Sequence, residues 1–191
     1  MDTPVTSRLR RRTVLGAAGL VAAQAALAGE AQADILIPTD TPAQPGEFDF
    51  LNGDWRIAQR RETSPGVWDE FEGESTCWSI LGGRASIEEL RIPARDFSGM
   101  GLRTLDVEKG VWLDYWMNAK SGVVGAPGTP GRFIDGVGNF DASDVEDGKP
   151  VIWRGCWDEI TPISCRWRQG VSRDGGATFA WSWIMNWTRK A

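Results

Sequence analysis

Phe179-Ala180-Trp181-Ser182-Trp183-Ile184-Met185-Asn186-Trp187-Thr188-Arg189 is the stretch from which the fold is read. Phe179, Trp181, Trp183, Met185 and Trp187 fall on every second residue, and Ala180, Ser182, Asn186 and Thr188 take alternate positions. A period of two puts the first set on an apolar face of a β-strand and the second on a mostly polar face. Val151, Trp153, Gly155 and Trp157 repeat the pattern. On a strand over 111–118, Trp112, Asp114, Trp116 and Asn118 mix rings and polar groups on one face. That mixture suits either a ligand-lined interior or an outer face carrying a few amphipathic rings.

Working outward, the chain from Phe48 onward is a series of such runs ended by Gly, Pro, Asp or Asn. Strands are expected at 50–61, 67–79, 84–92, 99–107, 111–119, 131–140, 150–158, 162–172 and 177–189, with breaks such as Ser64-Pro65-Gly66, Asp147-Gly148 and Asp174-Gly175-Gly176. Short turns imply an up-and-down antiparallel order. No segment reads as a helix long enough to cover a sheet, and the chain holds 11 tryptophans. The reading is therefore all-β: a closed antiparallel up-and-down β-barrel of eight to ten strands, with a β-sandwich as the alternative. Closure also removes exposed sheet edges.

The first 33 residues have a different composition. Arg8, Arg10, Arg11 and Arg12 precede an apolar Gly/Ala/Leu run from Gly16 to Gly29, and Ala31-Gln32-Ala33 offers an A-x-A cleavage pattern. Arg11-Arg12 followed by Thr13-Val14-Leu15 matches the twin-arginine spacing. This segment is expected to be a signal peptide, 34–47 an extended leader and 48–190 the barrel domain. The protein would be handled by the twin-arginine export machinery and end periplasmic or secreted. Removing residues 1–33 shifts the net charge from −5 to −7. That surface disfavours nucleic acid and anionic membrane as partners. No later apolar run approaches a spanning helix.

The absence of histidine excludes a Ser-His-Asp triad, a Cys-His couple, a histidine-ligated haem and an ordinary zinc site. No cofactor and no metal site are expected. Cys77, Cys156 and Cys165 lack metal-type spacing. A hairpin around Glu159-Ile160-Thr161-Pro162 would set Cys156 opposite Cys165, leaving either a disulfide or two apolar thiols. Glu70, Glu72 and Glu74 share one strand face, as a calcium patch or a solvated ladder countered by Arg154, Arg166 and Arg168.

Gly53-Asp54-Trp55 on the first strand with Arg189 near the end of the last resembles the calycin signature. That resemblance implies that Arg189 lies across Trp55 and shuts the barrel base. Several further blocks occur in order: Trp68-Asp69-Glu70-Phe71-Glu72-Gly73, Ile80-Leu81-Gly82-Gly83, Gly131-Arg132-Phe133-Ile134-Asp135-Gly136-Val137-Gly138, Asp158-Glu159-Ile160-Thr161-Pro162 and Arg173-Asp174-Gly175-Gly176. With them, 48–190 resembles an uncharacterised bacterial lipocalin-like family, which implies a barrel and no established reaction. The family tends to carry an acidic-Pro-Pro stretch before Gly-Arg-Phe, where this chain has Ala126-Pro127-Gly128-Thr129-Pro130.

The expected function is binding of a small apolar or aromatic molecule inside the barrel, with Trp116, Phe133, Trp153 and Trp183 as stacking rings and Arg132 fixing a polar end. The alternative is an isomerase, lyase or cyclase in the same cup, using Asp135, Arg132 or Tyr115 as acid or base. Arg132 and Asp135 would share a site only across a bulge at Gly131 or Gly136. A third class is a structural envelope protein with a filled barrel.

Overall fold

The computed structural model describes residues 41–191; the expected signal segment and residues 34–40 of the leader lie outside them. Ten strands follow one another: β1 Gly53–Ser64, β2 Val67–Ile80, β3 Ala85–Ile92, β4 Phe97–Asp106, β5 Val111–Asn118, β6 Thr129–Ile134, β7 Val137–Glu146, β8 Lys149–Asp158, β9 Ser164–Ser172 and β10 Ala180–Arg189. Each strand pairs antiparallel with its chain neighbours, and β1 closes on β10. The molecule is a closed up-and-down barrel.

Ten strands stand where nine are expected, because the run read as 131–140 is a hairpin. Asp135 and Gly136 both have positive φ, 50° and 78°, and join β6 to β7. Asp-Gly is a preferred pair for a two-residue turn of this kind. Asp147-Gly148 makes the equivalent turn between β7 and β8. A second departure lies in β10. The register slips between Trp181 and Trp183, so Trp181 opposes Gly170 on the outer face while Trp183 opposes Gln169 on the inner one. The five residues read as one face of that segment are divided by this bulge.

The third departure concerns the thiols. In the β8–β9 hairpin Cys156 opposes Arg168, while Cys165 on the other face opposes Trp187 of β10. The two cysteines sit on opposite sides of the sheet. Cys77, Cys156 and Cys165 are all free and buried.

Residues 41–52 close one end of the barrel as a plug. Ala43 N donates to Gly110 O (2.9 Å) and Gly46 N to Gly83 O (2.8 Å), hanging the chain on two turns of that end. A short 3-10 turn, Asp49–Leu51, then drops Phe48 and Leu51 into full burial. Phe48 meets Trp112 and Phe133 edge-on, each at 5.0 Å between ring centroids. Burial of such side chains contributes about 1.5–3 kcal/mol each. Below Phe48, Trp55, Trp112, Trp157 and Trp187 complete a buried base.

Arg189 seals that base. Its guanidinium lies 4.3 Å from the centroid of Trp55, and it donates to the carbonyls of Phe50 (2.8 Å), Asn52 and Pro162 (2.8 Å). These contacts satisfy carbonyls at the lip and add a cation–π attraction of about 0.5–2 kcal/mol.

Candidate functional site

Cross-strand pairs share a face, so the register identifies every inward side chain. From plug to opposite end, β5 points Trp112, Asp114, Trp116 and Asn118 inward, opposite Leu105, Arg103, Gly101 and Gly99 of β4. The inward rows of β1 and β10 are Trp55, Ile57, Gln59, Arg61 and Trp187, Met185, Trp183. Those of β8 and β9 are Trp157, Gly155, Trp153 and Cys165, Trp167, Gln169.

Accessibility changes along these rows. The tryptophans at the plug end, Trp55, Trp112, Trp157 and Trp187, are buried, while Trp116, Trp153, Trp167 and Trp183 are half-buried. Trp116 stacks on Phe97 (6.2 Å, 9° between planes) and Trp167 meets Trp183 edge-on at 5.8 Å. Trp183 Nε1 donates to Gln59 Oε1 at 3.1 Å, which fixes the indole plane.

An ion cluster occupies the floor between base and rings. Arg103 Nη2 donates to Glu88 Oε2, and Arg103 Nε lies 3.4 Å from Asp114 Oδ1. The register explains the meeting: Arg103 opposes Asp114 on β5 and Ser86 on β3, two residues from Glu88. Gly101 makes the space, since a Cβ there would fall 2.9 Å from both Arg103 Nη2 and Glu88 Oε2. The Arg103 guanidinium also lies 5.3 Å from the Trp157 ring.

The three members differ in exposure. The side chains of Arg103 and Glu88 are 5% and 4% exposed, while that of Asp114 is 25% exposed, so solvent reaches only the Asp114 carboxyl. The β5–β6 pairing also ends at Asp114, opposite Thr129. Burial opposes the charge on Arg103, but the carboxylates of Glu88 and Asp114 hold its pKa above the ordinary guanidinium value. Burial pushes Asp114 up to about 6, with Arg103 pulling the other way. Asp114 is thus a carboxyl that changes charge near neutral pH inside the barrel.

The residues expected to do chemistry are placed elsewhere. Asp135 is exposed in its hairpin turn. Arg132 opposes Asn139 on the outer face, where it is buried and its Nη1 donates to Thr41 O at 2.9 Å. The bulge needed to unite the two is absent from β6 and β7, whose register runs regularly up to the turn. Tyr115 is also on the outer face, opposite Leu102, with its ring over Gly128.

Of the expected ligand-binding rings, Trp116, Trp153 and Trp183 line the interior, whereas Phe133 belongs to the plug packing. Phe133 and Asp135 also border a hollow of about 480 Å³ with Glu47, Phe50 and Ile160. This hollow lies at the plug's seam, across the base from the ion cluster.

Several outer-face charges pair with one another. Glu74 takes Arg91 and Lys190, while Asp141 takes Arg154 and Asp158 takes Arg166 and Arg168. The counter-ions expected for the Glu70–Glu72–Glu74 ladder therefore serve other carboxylates. Among the described residues no group of three or more His, Cys, Asp or Glu side chains is arranged to hold a metal ion.

The sequence marks Asp114 by its mixed face but assigns no role to Arg103 or Glu88. The available signal was Gly99-x-Gly101-x-Arg103, two glycines leading to an arginine on one face of a strand.

No family model and no curated protein matches the chain. Among solved structures it is similar to a protein of unknown function from the DUF3598 family of Nostoc punctiforme, with 10% identity and a TM-score of 0.42 over 78% of this chain and 50% of that one. The chain thus spans about half the length of that neighbour.

Proposed function

We propose that this protein is an exported, lipocalin-like binding cup that takes a small apolar or aromatic molecule into the barrel from the end opposite the plug. The observation that carries the reading is the change in accessibility along the interior. Inward tryptophans are buried at the base and half-buried in the other half, above the Glu88–Arg103–Asp114 ion cluster. A barrel filled only for stability gains little from such a cluster, because desolvating the charges offsets much of their attraction. A cup uses them to orient a guest among stacking rings.

Native mass spectrometry of the protein from its own host, beside the denatured mass, tests this. The expected result is a non-covalent adduct that disappears on denaturation. A bare polypeptide mass counts against a resident ligand.

A second reading rests on Asp114. A solvent-reached carboxyl with a pKa near 6, on a floor beneath apolar walls, suits acid–base chemistry on an apolar substrate. An isomerase, lyase or cyclase would then use Asp114 rather than Asp135, Arg132 or Tyr115. If a compound found by mass is converted by the wild type, Asp114→Asn is expected to retain binding and lose turnover. Undiminished turnover in that variant would remove Asp114 from the reaction.

A further inference from the structure

The inward row of β1 ends in Arg61, which opposes Trp183 on one side and Asp69 on the other. Its guanidinium carbon lies 4.8 Å from the centroid of the Trp183 ring. That ring is held by its hydrogen bond to Gln59 and its edge contact with Trp167, so the cation rests on a fixed platform. Asp69, the nearest carboxylate by register, is taken by Arg95 at 2.6 Å.

Among the described residues no carboxylate comes within ion-pairing distance of Arg61. Of the other inward-facing arginines, Arg103 has two carboxylates and Arg189 donates to the carbonyls of Phe50, Asn52 and Pro162. Arg61 is half-buried, and burial lowers its pKa. A partly desolvated cation without a counter-ion is unfavourable, and a planar guanidinium matches a carboxylate through two parallel hydrogen bonds.

We propose that Arg61, stacked on Trp183, anchors the acidic group of the cup's ligand, which makes that ligand an aromatic or apolar carboxylic acid. The inference rests on the cup reading and names its substrate class. The floor fixes the orientation. Glu88 and Asp114 outnumber Arg103 there, so a second anion is repelled from the depth of the cup and held at Arg61, with the apolar body pointing inward among Trp116, Trp153 and Trp167.

Isothermal titration with naphthoate and with neutral naphthamide separates the anchor from the walls. Wild type is expected to prefer the acid by roughly tenfold or more, the range of a charge-assisted hydrogen bond. Arg61→Gln should bring naphthoate down to the amide's affinity and leave the amide unchanged. Arg61→Lys should fall between, and Arg60→Gln, which removes the neighbouring outer-face arginine over Trp68, should keep the preference. Far-UV circular dichroism checks that each variant is folded. If Arg61→Gln retains the preference, if Arg60→Gln removes it, or if wild type binds the amide with no preference for the acid, the anchor is wrong and the cup stands. If neither compound binds, the cup reading falls and this inference with it.

Discussion

Asp114 carries the clearest pH signature of any single residue. Its ordinary value is 3.8, and burial raises it to about 6 in the folded protein. The native state therefore holds this proton more tightly than the unfolded chain does. As pH rises from about 4 through about 6, the native state must ionise a buried group that the unfolded chain ionises freely, so Asp114 lowers stability across that window. Asp114→Asn removes the penalty. Relative to wild type, the variant is expected to gain on the order of 1–3 kcal/mol between about pH 4 and about pH 7.5, measured by urea unfolding at both values. A stability difference that does not move with pH would contradict the assignment.

At the scale of elements, the glycines of β4 are as informative as its charged residue. A Cβ on Gly99 would fall 2.2 Å from the Trp116 ring and 2.6 Å from the Met117 carbonyl. Gly99→Ala should therefore cost about 1–3 kcal/mol by overpacking and alter the near-ultraviolet dichroism of the indoles. An unchanged urea midpoint would mean that Trp116 is not held against β4. The β8–β9 hairpin makes a second prediction. Cys156 lies outside beneath Arg168 and Asp158, and Cys165 lies inside against Trp187. Burial raises the thiol pKa of Cys77, to about 12, and of Cys156 and Cys165. Thiol titration should find no fast-reacting cysteine in the native protein and three after denaturation. Two missing thiols in the denatured count would reveal a disulfide that this register forbids.

These elements also show what the sequence made legible. Alternation gave the strands and their turns because each is a local property of eight to twelve residues. The Asp135-Gly136 hairpin is not legible because apolar residues continue on both sides of it. The β10 bulge was hidden because aromatic residues recur through Ser182 although their faces switch. Which face is inner is not a local property at all. Arg132 reads as a ligand group, yet it points outward and is buried under Thr41. Glu88, Arg103 and Asp114 lie on three strands and meet only through the register of β3, β4 and β5. Arg61 stands out only once Asp69 is seen to be engaged by Arg95.

At the scale of the molecule, the barrel has two unlike halves. One is buried, closed by Phe48, Leu51 and the Arg189–Trp55 seal, and carries much of the buried aromatic packing. The other keeps half-buried rings facing inward above the Glu88–Arg103–Asp114 floor, with Arg61 toward the mouth. This division of the interior is the central claim, and the tryptophans report on it individually. The most direct measurement is a titration of the isotope-labelled protein with naphthoate, following each indole N–H by NMR. The indoles of Trp116, Trp153, Trp167 and Trp183 are expected to shift together with the ligand, while those of Trp55, Trp112, Trp157 and Trp187 stay in place. Shifts confined to Trp68, Trp78 and Trp181 on the outer face, or no shifts at all, would contradict a cup.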